Sequence, residues 1–255
     1  MTINELIELC KKLQLTAVAK QVDEACQQAL RQQLPYSDFL CNLLNEELEV
    51  RLQRRSSRRI KEAKFPSVKT LDGFDFERSP LLPEVLIRNL ATGQYIKDAK
   101  PIIFIGEPGT GKTHLASALG YAAATQGEVV RFTNTSQLVN LLIEARDSRV
   151  LSSITQRYSR YKLLILDELG YLPLSKTDSE LLFQVISQRQ ERLPIIITTN
   201  LPFSEWTSIF PDQRLCRALI DRITHNAYII ETGEKSARLE DTLKSNKTAK
   251  EVTMT

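Results

Sequence analysis

The spacing of apolar residues divides the chain into two textures. Up to about residue 62 the apolar positions keep helical spacing. Leu6, Leu9 and Leu13 start the pattern, and TAVAKQVDEACQQAL continues it with strong helix formers. Pro35 interrupts, Ser37 is placed to cap the next helix, and Leu40, Leu43, Leu44 and Leu48 then mark one apolar face. The stretch FPSVKTLDGFDFERSPLLP carries Pro66, Gly73, Pro80 and Pro83, and reads as a linker with two apolar anchors, Phe74 and Phe76. Beyond it, short apolar runs alternate with amphipathic helical stretches: PIIFI (101–105), VVRFT (129–133), KLLIL (162–166), PIIIT (194–198) and AYIIE (227–231). Continuous apolar strands separated by helices predict an α/β domain whose parallel sheet is covered on both faces. The expected organisation is a helical domain over 1–65 that meets partners or DNA, a linker over 66–83, an α/β domain over 84–240 and a loose polar tail over 241–255.

Composition narrows this picture only slightly. With 255 residues, 42% of them hydrophobic and 25% charged, the chain has the balance of a globular protein with a usable core. No run approaches the roughly 20 apolar residues of a membrane span, and MTINELIELCKK lacks a signal-peptide pattern. A cytoplasmic protein without a membrane partner is expected. Cys10, Cys26, Cys41 and Cys216 show no CxxC pairing and no accompanying histidine cluster, which favours buried reduced thiols over zinc or disulfides. The net charge of +3 is unevenly spread: Arg51, Arg54, Arg55, Arg58, Arg59, Lys61 and Lys64 face a single acid, Glu62, within fourteen residues.

The chemistry starts at GEPGTGKT, Gly106–Thr113, which fits G-x-x-x-x-G-K-[ST] with an apolar strand before it and a helix after it. Glycines allow the backbone to turn its N–H groups inward onto phosphate oxygens, and a helix N-terminus adds partial positive charge. The phosphate-binding stretch is therefore Gly106, Glu107, Pro108, Gly109, Thr110, Gly111, Lys112, Thr113 and His114. Lys112 is placed for the β- and γ-phosphates of ATP, and Thr113 for Mg²⁺. About fifty residues on, KLLILDEL carries Asp167 and Glu168 to the C-terminal end of a strand, where open α/β sheets bind ligands. Asp167 is then a second Mg²⁺ ligand, and Glu168 orients and polarises the attacking water. In IIITTNLPF, Asn200 ends a strand that would lie beside that of Asp167. On spacing alone, a γ-phosphate or water contact and a simple turn before Pro202 remain equal readings. Arg217 and Arg222 are either surface arginines or candidates to reach a neighbouring copy's nucleotide. His114 and His225 lack a carboxylate or nucleophile in the sequence pattern and read as structural rather than catalytic.

GEPGTGKTHLA, LLILDELGYLP, ITTNLPFSEW and LIDRITHNAYII, with TLDGFDF ahead of them, together resemble the IstB-type transposition helper ATPases, relatives of the DnaC helicase loaders and DnaA initiators. The similarity runs in one order over roughly residues 5–240. It implies an AAA+ P-loop core with sheet order 5-1-4-3-2 and ATP bound between subunits. It implies that Asn200 is the sensor-1 residue and that Arg222, in LIDRI, is the arginine finger, with Arg217 in reserve. The family's Gly-Glu-Ser-Tyr-Arg run is here Gly233-Glu234-Lys235-Ser236-Ala237-Arg238, which leaves Arg238 without an assigned role. The implied partners are duplex target DNA bound without sequence preference, a partner transposase and further copies of the chain in a ring or helical assembly. The basic run at 51–64 suits phosphate contacts, and Arg131, Arg146, Arg149, Arg157, Arg160 and Lys162 form a second basic population. A DnaC-like helicase loader and a nucleotide-gated adaptor are the competing functions.

Overall fold

A computed structural model of the chain describes residues 2–189 and 192–233. The expected tail, 241–255, and Arg238 lie outside the described residues. The chain divides into two compact units between Arg58 and Arg59, earlier than the boundary expected near residue 66.

The first unit contains α1 (Ile3–Lys12), α2 (Val18–Gln32) and most of α3 (Tyr36–Ala63). Helix α1 starts with a reciprocal cap: Thr2 Oγ1 accepts from the Glu5 amide, and Glu5 accepts from the Thr2 amide at 2.8 Å. Helix α2 has no cap from its own side chains. Instead Glu47 of α3, buried at 3% exposure, accepts from the amides of Ala17 (2.7 Å) and Val18 (3.2 Å). Burial raises the Glu47 carboxyl's pKa, but donation from Arg51 and these amides outweighs that and holds it below the usual range. Cys10, Val18, Val22 and Leu43 make the small core. Two expectations change here. Ser37 lies inside the first turn of α3, where Pro35 accepts from the Asp38 and Phe39 amides, so it is not the cap. Of the four leucines on the expected apolar face only Leu43 is buried, while Leu40, Leu44 and Leu48 stay about half exposed, because α1 and α2 form a core only around the Leu43–Glu47 side.

The second unit begins with the last turn of α3. It continues through α4 (Glu84–Leu90), α5 (Gln94–Lys97), β1 (Ile102–Ile105), α6 (Lys112–Thr125), β2 (Val130–Asn134), α7 (Thr135–Asp147), α8 (Leu151–Arg160) and β3 (Leu163–Leu169). Next come α9 (Lys176–Ser187), β4 (Ile195–Thr199), a 3-10 segment (Phe203–Ser208), α10 (Gln213–Thr224) and β5 (Tyr228–Glu231). The strands form one five-stranded sheet in the order β2-β3-β4-β1-β5, with every recorded pairing parallel. Read from the other edge this is the expected 5-1-4-3-2.

Alternation along each strand divides the side chains between two cores. Ile103, Leu164, Leu166 and Ile197 face one cluster with α7, α9 and α10, while Ile102, Phe104, Leu163 and Ile165 face the other with α6. Each fully buried residue of this kind contributes roughly 1.5–3 kcal/mol over an exposed one, which fixes the sheet as the rigid platform of the site. The expected linker is part of that platform. Phe65, Leu71, Phe74 and Phe76 pack against the α6-side cluster, Leu82 is buried in it, and the Phe74 and Phe76 rings meet edge-on at 4.8 Å. Its prolines and glycine break regular structure, but its aromatics bind it to the core.

Candidate functional site

The loop Gly106–Gly111 leaves β1 at the C-terminal edge of the sheet and enters α6 at Lys112. Gly111 has φ +93°, and a Cβ there would stand 2.5 Å from Phe74 Cε2, so both backbone and space demand glycine. Thr110 Oγ1 donates to Glu107 O at 2.8 Å and lies 2.6 Å from Thr232 Oγ1, while the Glu107 amide donates to Gly233 O at 3.2 Å. The residues after β5 therefore brace the loop from behind. No side chain caps α6, which leaves its first amides and its positive dipole end for an anion. Lys112 Nζ donates to Gly106 O (2.6 Å) and Glu107 O (2.8 Å), which holds the ammonium across the loop. The His114 ring turns toward residues 66–83 instead: Nε2 lies 2.9 Å from Thr70 O and the ring packs edge-on to Phe74.

The two acids sit within the C-terminal end of β3, one residue short of its close at Leu169. Leu166 pairs with Ile197 and Leu169 with Thr199, so β3 gains a residue over β4 between these points. That bulge, with Glu168 at φ +57°, separates the two side chains. Asp167 is buried at 6% exposure and Glu168 is exposed. Thr198 Oγ1 donates to Asp167 Oδ1 at 2.6 Å and accepts from the Glu168 amide at 2.9 Å, so one hydroxyl of β4 orders both acids. Thr113 Oγ1 donates to Asp167 Oδ1 at 2.9 Å. Burial pushes the Asp167 carboxyl's pKa up, against the donation from Thr198 and Thr113. The Thr113 hydroxyl and Asp167 carboxylate form a compact all-oxygen pair beside the cradle, a donor set suited to Mg²⁺ shared with phosphate oxygens.

Asn134, which the sequence reading did not single out, holds Glu168. Its amide nitrogen donates to Glu168 Oε2, while its Oδ1 accepts from the Ser136 amide at 3.0 Å and caps α7. The signal was an asparagine one residue past the VVRFT run, at the end of the strand beside that of Asp167. Asn200, just after β4, lines a cleft with Gly106, Glu107 and Gly233 whose far wall is Glu77–Leu81. Asn200 thus joins Lys112, Thr113, Asp167 and Glu168 at one sheet edge.

Arg222 does not join them. It lies in the last turn of α10, and the next strand starts where the Tyr228 amide donates to Pro101 O, just ahead of β1. It shares a cavity with Lys100, Pro101 and Ile195, at the N-terminal edge of the sheet. The length of β1, about 13 Å at 3.3 Å per residue, separates that edge from the cradle, beyond the reach of an arginine side chain. Arg217 is exposed on the same helix.

The basic run at 51–64 is less available than its sequence suggests. Arg51 Nε donates to Glu47 at 2.8 Å and Nη2 to Gln14 O at 2.6 Å; Arg54 donates to Thr16, and Arg59 pairs with Glu62 at 2.9 Å. In the second population Arg146, Arg149, Arg157 and Arg160 are exposed along α7, α8 and the turn between them. All four cysteines are free thiols, with Cys10 and Cys216 buried and Cys41 exposed, contrary to its expected burial. No helix among the described residues is long and apolar enough to cross a membrane.

A family model described as IstB-like ATP binding protein matches residues 8–245. A Pseudomonas aeruginosa protein of insertion sequence IS21, described as ATP-binding, is 35% identical over 251 residues, spanning 98% of this chain and 95% of that one. A Geobacillus stearothermophilus counterpart from insertion sequence IS5376 is 37% identical over 234 residues, spanning 92% and 93%. Among solved structures, AMPPCP-bound DnaA from Aquifex aeolicus superposes with TM-score 0.56 at 19% identity, over 66% of this chain and 51% of that one. DnaI superposes with TM-score 0.55 at 19% identity, over 64% and 90%. At these identities the likeness is one of fold, the α/β architecture that the chain shares with those two structures.

Proposed function

The chain belongs to the family of IstB-like ATP binding proteins, and from that membership we propose that it is an ATP-dependent helper of transposition. It binds ATP with Mg²⁺ at Gly106–Thr113, hydrolyses it to ADP and phosphate, assembles with further copies on duplex target DNA, and recruits or regulates a partner transposase. The observation that carries the hydrolytic reading is the ordered pair of acids. Thr198 and Thr113 hold Asp167 beside the cradle, and the bulge turns Glu168 outward under the hand of Asn134.

The chain's own residues divide the work as follows. The loop amides and the α6 N-terminus hold the phosphates, and Lys112 exchanges two loop carbonyls for β- and γ-phosphate oxygens. Thr113 and Asp167 would hold Mg²⁺, which would supply positive charge against the phosphates. Glu168 accepts a hydrogen bond from the attacking water and orients it, and Asn200 faces the γ-phosphate from the adjoining strand end. The cleft between Glu77–Leu81 and Thr232–Gly233 receives the nucleoside. Arg222 serves the nucleotide of an adjoining copy, a reading supported by its position at the far sheet edge. The basic run at 51–64 and the exposed arginines of α7 and α8 supply the salt-sensitive contact to DNA phosphates.

Electron microscopy of the protein on duplex and on single-stranded DNA, with ATP, with ADP and without nucleotide, tests this. Ordered assemblies on duplex DNA with ATP are expected. Assemblies confined to single strands would favour a helicase loader, and nucleotide binding without assembly on either would leave a simple adaptor.

A further inference from the structure

Arg222 and Arg189 lie near each other, lining one cavity at the N-terminal edge of the sheet, yet the fold treats them in opposite ways. Arg189 is buried at 1% exposure and donates to Tyr158 O, Lys162 O and Pro194 O. Burial lowers its pKa to about 10, and its guanidinium is spent on tying α8, β3 and β4 together. Arg222 is only half-buried. Its guanidinium carbon stands 4.4 Å from the centroid of the Phe183 ring, and Nη1 donates to Ser187 Oγ. Among the described residues no carboxylate lies within ion-pairing distance of it.

That mode of holding has a consequence. A carboxylate at home would neutralise the guanidinium and compete with any phosphate that approached. An aromatic face and a hydroxyl fix the plane and direction of the group and leave its charge and its other N–H donors for an incoming anion. Phe183 and Ser187 are one turn apart on α9, so they present a single helix face to Arg222. The other end of α9 is capped by Ser175, and the loop 170–174 joins it to β3, where the Tyr171 amide donates to Glu168 O.

We infer that Phe183 and Ser187 are positioning residues that aim Arg222, through its cation–π contact and its hydroxyl partner, at the nucleotide phosphates of a second copy of this chain. The inference rests on the reading that Arg222 acts in trans. The test uses full-length proteins in two roles, mixed on duplex DNA with ATP. An acceptor carrying Arg222→Ala binds ATP but offers no arginine, and a donor carrying Lys112→Ala offers Arg222 but binds no ATP. Donor-stimulated hydrolysis is followed as kcat and KM. Adding Phe183→Leu to the donor should cut stimulated kcat about tenfold with KM unchanged, and Ser187→Ala should cut it severalfold. Phe183→Trp in the donor, which keeps an aromatic face, should retain most of the stimulation. Phe183→Leu in the acceptor should change nothing. Unchanged unfolding midpoints separate these effects from loss of fold, and Ser187→Ala carries the test if Phe183→Leu lowers its midpoint. Full stimulation by both the Phe183→Leu and Ser187→Ala donors would overturn the inference, as would equal losses from donor and acceptor. A Lys112→Ala donor that gives no stimulation even with Phe183 and Ser187 intact would instead overturn the trans reading beneath it.

Discussion

The two edges of the sheet are built on different terms. At the C-terminal edge a run of hydrogen bonds links the groups around the two acids: Thr113 to Asp167, Asp167 to Thr198, Thr198 to the Glu168 amide, and Glu168 to Asn134. At the N-terminal edge Arg222 rests on a ring and a hydroxyl and meets no carboxylate among the described residues. The first edge holds an acid deep enough for burial to raise its pKa and offsets that with donors placed around it. The second holds a half-buried arginine on a ring and a hydroxyl, in a cavity that Asp98 also lines. On the function proposed here, the phosphate and metal groups of one edge and the cation of the other are the two halves of a site shared between copies.

Lys112→Ala attacks this contrast most severely. Removing the ammonium that spans Gly106 O and Glu107 O should abolish ATP binding and, with it, ATP-dependent assembly of the variant alone; titration with a fluorescent ATP analogue reads this directly. Full affinity in that variant would remove the cradle from the mechanism. Arg222→Ala should leave ATP affinity unchanged and lower assembly-stimulated hydrolysis by roughly 10³-fold or more, measured as phosphate release on duplex DNA. Glu168→Gln should also keep binding and slow turnover by roughly 10²–10⁴-fold, with long-lived assemblies on DNA seen by electron microscopy. Asn134→Asp has the smallest effect and separates two roles of one side chain. An aspartate still caps α7 but sets a like charge against Glu168, so kcat should fall about tenfold, a barrier increase of about 1.4 kcal/mol, while the unfolding midpoint stays put. Unchanged kcat would show that Asn134 is only a helix cap.

How much of this could be read from the residues in order depends on how local each feature is. The cradle was legible because its mechanism needs a contiguous strand, glycine loop and helix, and Gly106–Thr113 supplies all three in one stretch. The strand order followed from the family resemblance, and the covered sheet from runs such as PIIFI and PIIIT. The β3 bulge was not legible: LLILDEL is apolar on both sides of the acids, and the extra residue exists only relative to β4. Phe74 was legible as an apolar anchor of 66–83, but its packing against Gly111 was not, because that contact exists only once the loop is folded. Arg222 was found by its motif, but its partners Phe183 and Ser187 lie on another helix, and no local pattern joins them. The partners of the basic run at 51–64 were hidden for the same reason. A count of arginines does not reveal that Arg51 is already held by Glu47 and Gln14.

The shared site is tested most directly by mixing two proteins that are each inactive. Lys112→Ala and Arg222→Ala, combined at varied ratios on duplex DNA, should regain ATP hydrolysis, with a maximum at an intermediate ratio, because one supplies the cradle's missing arginine and the other the nucleotide. A mixture that stays as inactive as its components at every ratio would contradict a site divided between the two sheet edges of neighbouring copies.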